Sequence, residues 1–223
     1  MKLKKHDFIE IEYTGRLDSG DVFDTTDEKV AKEAGIHREN ASFGAAVICL
    51  GENHILKGIE DFIIGKEPGK FDIHLTPENA FGKKNPKLLK LLPMKVFKKE
   101  NIQPFPGLEV NVDNMYGIVR TVSGGRIIVD FNHPLAGRNV NYEVKVNKII
   151  KDTLKKAKSI FKNELNILDA KLELRDKKLI IDENIPKDVL SGIKKRVLEL
   201  IPEIKSVILK KEEKAKTSSK KKK

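Results

Sequence analysis

Five histidines and one cysteine are the side chains best suited to metal binding or covalent catalysis in this 223-residue chain. His6, His37, His54, His74 and His133 stand far apart, without the short spacings that let imidazoles share a metal ion. Cys49, the single cysteine, sits beside Leu50 in an apolar, strand-like run, where a thiol packs rather than attacks. It leaves no partner for an internal disulfide and fits a reducing compartment. Gly124-Gly125 reads as a hairpin turn, and Gly65-Lys66 lacks the glycine spacing that cradles phosphate. No metal and no cofactor are expected. Phe23, Ile55, Ile59 and Tyr142 read by spacing alone as core, and Asp24, ahead of Thr25-Thr26, reads as a turn cap.

The elements that carry these residues follow from periodicity. Ile9, Ile11 and Tyr13 alternate with Glu10 and Glu12, which predicts a strand with one buried face. Asp18-Ser19-Gly20 turns the chain into a returning strand at 21–25. Residues 27–41 favour one or two helical turns ended near Gly35, and 42–50 extend again. Ile55, Leu56, Ile59, Phe62 and Ile63 fall at helical spacing before Gly65, and residues 69–76 alternate as a strand. From Asn85 to Val129 the composition shifts, through Pro86, Pro93, Pro104 and Pro106, to strand-like runs at 115–123 and 126–131 joined by Ser123-Gly124-Gly125-Arg126. Residues 140–150 alternate Val140, Tyr142, Val144 and Val146 with no partner nearby, so the early strands are the expected partners. Beyond Asp152 come a helix behind a Thr153 cap, strands at 171–175 and 178–182, a helix from Pro186 and a strand at 205–210. This α-β-β-α-β segment is small for independent folding, which makes 153–209 a candidate for homodimerisation.

The net charge of +11 is unevenly placed. Residues 210–223 hold eight lysines against two glutamates, whereas residues 1–150 hold twenty-two basic against twenty-one acidic side chains. The tail composition supports no core and predicts disorder. Counterion release would give it weak affinity for a polyanion or a ribosome. No apolar run approaches the roughly 18 residues that span a bilayer, and the N-terminus has no signal-peptide stretch; a soluble, cytoplasmic protein is expected.

Tyr13-Thr14-Gly15, Gly20-Asp21-Val22-Phe23-Asp24, Leu50-Gly51, Ile55-Leu56-Lys57-Gly58-Ile59-Glu60, Asn79-Ala80-Phe81-Gly82 and Asn132-His133-Pro134-Leu135-Ala136-Gly137 come in an order that closely resembles the FKBP-type peptidyl-prolyl isomerases. Within them the chain is similar to the SlyD-like branch, with a module inserted in the flap, and its C-terminal part resembles the long archaeal form. The resemblance implies an α+β fold: an antiparallel sheet wrapped on a short helix, with a small β-rich insert and a C-terminal α/β unit. The implied domains are residues 1–84 with 130–151 for isomerisation, 85–129 for the insert, 152–209 at the C-terminus and a basic tail at 210–223. It also implies catalytic residues Tyr13, Asp24 and Phe81, with Asp24 facing the bound carbonyl, and a substrate pocket of Phe23, Ile48, Ile55, Leu56, Ile59, Leu135 and Tyr142. Phe81 stands where the family has Tyr, and Ile59 where many members have Trp.

Rotation about an amide bond costs about 18–20 kcal/mol because resonance is lost, and no bond breaks. The chemistry needs an apolar pocket and a few donors rather than a nucleophile or a metal. The implied partners are unfolded or nascent proline-containing polypeptides. In the insert, Leu92, Met94, Val96, Phe97, Met115, Tyr116 and Ile118 exceed what a small module easily buries, so an exposed client-binding surface is expected, with a plain module core as the alternative. Two other functions stay open: a catalytically weak holdase, and a ribosome- or RNA-associated factor acting through the tail.

Overall fold

The computed structural model describes residues 1–39 and 41–210; the tail beyond Lys210 lies outside the described residues. The chain divides into two compact units, residues 1–74 with the chain from 140 onward, and residues 75–139.

In the first unit β1 (Phe8–Leu17) is the hub. Two short strands share one of its edges, β2 (Val22–Thr25) against Thr14 to Arg16 and β3 (Ala46–Cys49) against Phe8 to Ile11, both antiparallel. The other edge takes β9 (Val140–Ile149), antiparallel over Ile9 to Leu17, with β4 (Lys70–Leu75) beyond it. The strand without a neighbour in sequence therefore pairs with the first strand, as its alternation predicted. Val140, Tyr142, Val144 and Val146 are buried, while exposed Lys145 meets Glu12 at 3.1 Å and Lys148 meets Glu10 at 3.3 Å. Such exposed cross-strand pairs fix register more than they stabilise.

Two helices sit in the connections. Helix α1 (Glu28–Glu33) starts at Asp27, whose carboxylate accepts from the N–H groups of Lys29 and Val30. Helix α2 (Lys57–Ile63) buries Ile59 and Ile63.

The C-terminal segment contains α4 (Thr153–Leu165), β10 (Leu172–Arg175), β11 (Lys178–Ile181), α5 (Lys187–Leu200) and β12 (Ser206–Leu209). The β10–β11 hairpin turns on Asp176 and Lys177, both at positive φ, and β12 lies parallel to β11. Helix α4 is capped by Asp152 rather than Thr153: the Asp152 carboxylate accepts from Lys155 N at 2.8 Å. A carboxylate satisfies the free first-turn donors and also favours the positive end of the helix dipole. The apolar faces of α4, α5 and β11 form one continuous core with Phe8, Cys49 and Ile150. That face is covered within the chain, so its shortness no longer demands a second copy.

The second unit is a four-stranded antiparallel sheet in the order β5-β8-β7-β6, from β5 (Leu89–Pro93), β6 (Glu109–Val112), β7 (Met115–Ser123) and β8 (Arg126–Asp130). Gly124 and Gly125 close the β7–β8 hairpin at positive φ, which glycine adopts without strain. Helix α3 (Met94–Lys99) lays Phe97 into a core of Val110, Val119, Ile127 and Val129. Asn132 ties the strands that enter and leave the module: its side chain accepts from Asn85 N at 2.7 Å and donates to Asn85 O at 3.1 Å. Buried Asp130 in turn holds Asn132 and takes Arg120 at 3.0 Å, which keeps its carboxyl below the usual range against the opposing effect of burial.

Candidate functional site

The middle of β1 gathers the aromatic residues. Tyr142 on β9 is buried, with the Tyr13 ring 6.0 Å away and tilted by 59° and the Phe23 ring 5.6 Å away and edge-on. Both geometries suit the quadrupole of aromatic rings. Gly15 makes the approach fit. A β-carbon there would stand 2.8 Å from Phe23 Cζ and 2.9 Å from the Tyr142 ring.

Asp24, next to Phe23 on β2, accepts a hydrogen bond from the Tyr13 hydroxyl. Burial, followed by the Asp24 charge, pushes the Tyr13 hydroxyl up to about 12, so it stays a protonated donor at neutral pH. Burial likewise raises Tyr142, helped by the Asp24 and Tyr13 charges. Burial also raises Asp24, while the Thr25 N–H and the Tyr13 hydroxyl oppose that shift. The result is a carboxylate under desolvation strain, held by two donors beside three aromatic rings.

The remaining sequence-predicted residues fall in three places. Ile48 on β3 and Ile59 on the first turn of α2 are buried. Ile55 and Leu56 end the loop ahead of α2 and are half-buried. Leu56 is the N-cap: its carbonyl accepts from Ile59 N and Glu60 N, and its own N–H finds no acceptor among the described residues. Phe81 and Leu135 belong to the second unit. There Phe81 stacks in parallel on His133 at 4.6 Å, and Leu135 donates its N–H to His133 Nδ1 at 3.1 Å. No other sequence-predicted pocket residue lies in that unit.

Several residues had no role assigned from sequence. Gly15 and Glu60 are two of them. Glu60 is buried on α2 and takes Gly51 N on Oε2 at 3.0 Å, while Oε1 has no hydrogen-bond partner among the described residues. Burial raises its carboxyl above the usual range, against the Gly51 and Asn53 N–H groups. A glycine within a strand pattern and a carboxylate next to the core-facing Ile59 were the available signals. Cys49 is fully buried and its thiol is pushed up to about 12, chiefly by burial.

A wide concavity of about 670 Å³ opens beside Tyr13 on the sheet, lined by Phe43, Phe71 and Val144 together with the charged Glu12, Lys70, Asp72, Glu143 and Lys145. Among its charges Lys145 pairs with Glu12.

In the insert, the expected client-binding residues need correction. Phe97 is 1% exposed, and Leu92, Met94 and Val96 pack against the core it centres. Met115 and Ile118 are half-buried, and of the expected set only Tyr116 is exposed, at 79%. The helical run 94–97 turns its apolar side chains onto the sheet, which the composition alone did not resolve. The exposed apolar side chains are instead Leu89, Leu91, Phe105, Tyr116 and Ile128. Leu91 and Ile128 are direct cross-strand partners.

The chain also resembles known proteins. A family model described as FKBP-type peptidyl-prolyl cis-trans isomerase matches residues 1–98, and one described as FKBP26, IF domain, matches residues 90–135. The chain is 27% identical over 148 residues to a short-type peptidyl-prolyl cis-trans isomerase of Methanocaldococcus jannaschii, covering 66% of this chain and 94% of that protein. It is 29% identical over 146 residues to the FKBP-type 16 kDa isomerase of Escherichia coli, covering 62% and 88%. It is also 29% identical over 158 residues to the SlyD isomerase of Treponema pallidum, covering 67% and 79%. The first 98 residues match the FKBP-type peptidyl-prolyl cis-trans isomerase model, and over about two thirds of its length the chain is similar to isomerases of that type, each matched over most of its own length.

Proposed function

We propose that the protein accelerates X-Pro isomerisation in folding polypeptides at the aromatic cluster of the first unit. The observation that carries the reading is the packing of Tyr13, Phe23 and Tyr142 around Gly15 with Asp24 bonded to Tyr13. Amide resonance weakens when water is removed from the imide and the flanking chain is held. In this reading the rings and Ile59 take the proline ring. The free Leu56 N–H donates to a carbonyl of the substrate backbone, and the Asp24 carboxylate faces the carbonyl as it swings out of plane. A protease-coupled assay on a short proline peptide tests it: the purified chain should exceed the thermal rate, and a rate equal to the uncatalysed control would exclude it.

We also infer that the insert holds unfolded chains. Leu91 and Phe105 are 58% and 57% exposed, and with Leu89, Tyr116 and Ile128 they leave a small module unusually apolar outside. Carrying both sites on one chain raises the effective concentration of a client at the second once the first is engaged, so protein clients should gain more than tetrapeptides. Suppression of aggregation of a refolding protein measures this directly. The family relation and the lack, among the described residues, of any helix long and apolar enough to cross a membrane fit work on newly made cytoplasmic chains. The basic tail is proposed only to add salt-sensitive contact with polyanions.

A further inference from the structure

The loop from Leu50 to Leu56 delivers two residues of the proposed pocket, Ile55 and Leu56, and its backbone is not self-sustaining. Gly51 and Asn53 both sit at positive φ, 84° and 57°, a conformation that costs energy at asparagine and persists only when surroundings impose it. Part of the restraint comes from Glu60 on Gly51 N. The rest comes from the C-terminal segment. Arg196 on α5 donates to Glu52 at 2.7 Å and to Glu164 of α4 at 2.9 Å, joining the loop to both C-terminal helices through one guanidinium. Glu52 also meets His6 at 3.1 Å.

His54 is anchored on its other side. Its Nδ1 accepts from Cys49 N at 3.1 Å and faces the Asn163 amide at 3.3 Å, and Asn163 donates to Val47 O at 2.9 Å. The acceptor role places the His54 proton on Nε2, which points toward Glu164 at 3.6 Å.

We propose that Arg196, acting through Glu52 and Glu164, is a positioning residue that sets the 50–56 loop and thereby the wall of the proline site. The C-terminal segment is then part of the isomerase machinery rather than an appended module. The inference rests on the isomerase reading above for its effect on activity, but its effect on the loop stands apart from that reading. The forked guanidinium reaches two carboxylates in fixed directions, which a lysine cannot reproduce.

The test uses the full chain with Arg196→Ala, Arg196→Lys and a control, Lys156→Ala, which breaks the 2.8 Å Lys156–Glu203 pair inside the C-terminal segment. A sub-ångström displacement of the pocket wall is expected to lower kcat/KM on a proline tetrapeptide about tenfold in Arg196→Ala, mainly through KM. Arg196→Lys should recover part of the loss, and Lys156→Ala should match the parent. Amide hydrogen exchange supplies a readout independent of turnover: Cys49 and Gly51 should exchange faster in Arg196→Ala while β1 and β9 keep their protection. Unchanged kcat/KM and unchanged exchange at Cys49 and Gly51 would overturn the proposal, as would faster exchange throughout the first unit, which marks mere loss of stability. An inactive parent would sink the isomerase reading, and the exchange pattern alone would then decide the role of Arg196.

Discussion

The two units dispose of their large apolar side chains in opposite ways. Around Gly15 the rings of Tyr13, Phe23 and Tyr142 close on one another, with Asp24 beside the Tyr13 hydroxyl. In the insert, five fully buried side chains make the core, while Leu91, Phe105 and Tyr116 stand in solvent. Directed contact matches the proposed grip on one imide, whereas a loose apolar outside matches the proposed hold on partners of no fixed sequence.

The largest effect expected from breaking this contrast is at Phe97. Phe97→Ala should cost about 3–5 kcal/mol, the usual loss for a buried aromatic, and unfold the insert in a denaturant titration followed by module-specific amide signals. Retained module stability would place Phe97 outside the core. Next comes Gly15→Ala, whose methyl group enters the space of two rings; tetrapeptide isomerisation should fall by about two orders of magnitude, with sheet signals in circular dichroism preserved. Full activity would show that the ring packing is not the catalytic feature.

Changing Leu91, Phe105 and Tyr116 together to Ser should weaken suppression of aggregation several-fold while tetrapeptide turnover stays within about twofold, less than 1 kcal/mol. Equal loss of both would merge the two sites into one.

The smallest effects are in pH. The Asp24 carboxyl is raised above its ordinary 3.8, so its burial disfavours the charged fold; acidification through the folded pKa removes that penalty and removes the charge proposed to face the substrate carbonyl. Isomerisation should therefore decline on acidification at a pH above 3.8, and Asp24→Asn should abolish the step. His54 runs the other way. Burial lowers it from 6.5, with Glu164 and Glu52 opposing and Arg196 adding to the shift, so the stability tied to its neutral form is present above 6.5 and lost on acidification below it. A thermal-denaturation series of His54→Gln against the parent should show that slope vanish.

Periodicity carried much of this into view from the sequence. The alternation at 140–146 was enough to send β9 back to β1, because only one pairing buries that face. The hairpin at Gly124-Gly125 was equally legible from local chemistry. At 89–112 the reading stopped at a shift in composition, since β5, α3 and β6 are short and interrupted by prolines. Burial in the insert was misjudged for a related reason: Met94 to Phe97 and Leu89 to Leu91 are equally apolar, and only the three-dimensional register separates the face that packs from the face that does not. The roles proposed for Tyr13 and Asp24 came from resemblance, whereas nothing in the spacing announced that Gly15 clears the space for the rings or that Arg196 reaches Glu52 across 144 residues.

The Asn132 clamp on Asn85 has a consequence for how the chain finds its fold. Pairs between β1 and β9 such as Arg16–Glu143 and Lys145–Glu12 span 127 and 133 residues, so the central sheet closes a very long loop and belongs to the slow class of topologies. The clamp bridges 47 of those residues. Pre-closing that stretch shortens the effective loop by about a third, which on the logarithmic law is worth only about 0.4 kcal/mol. A host sheet that gains so little from a pre-closed insert also loses little to a longer one, so the length of chain between Asn85 and Asn132 is nearly free of the closure of the central sheet.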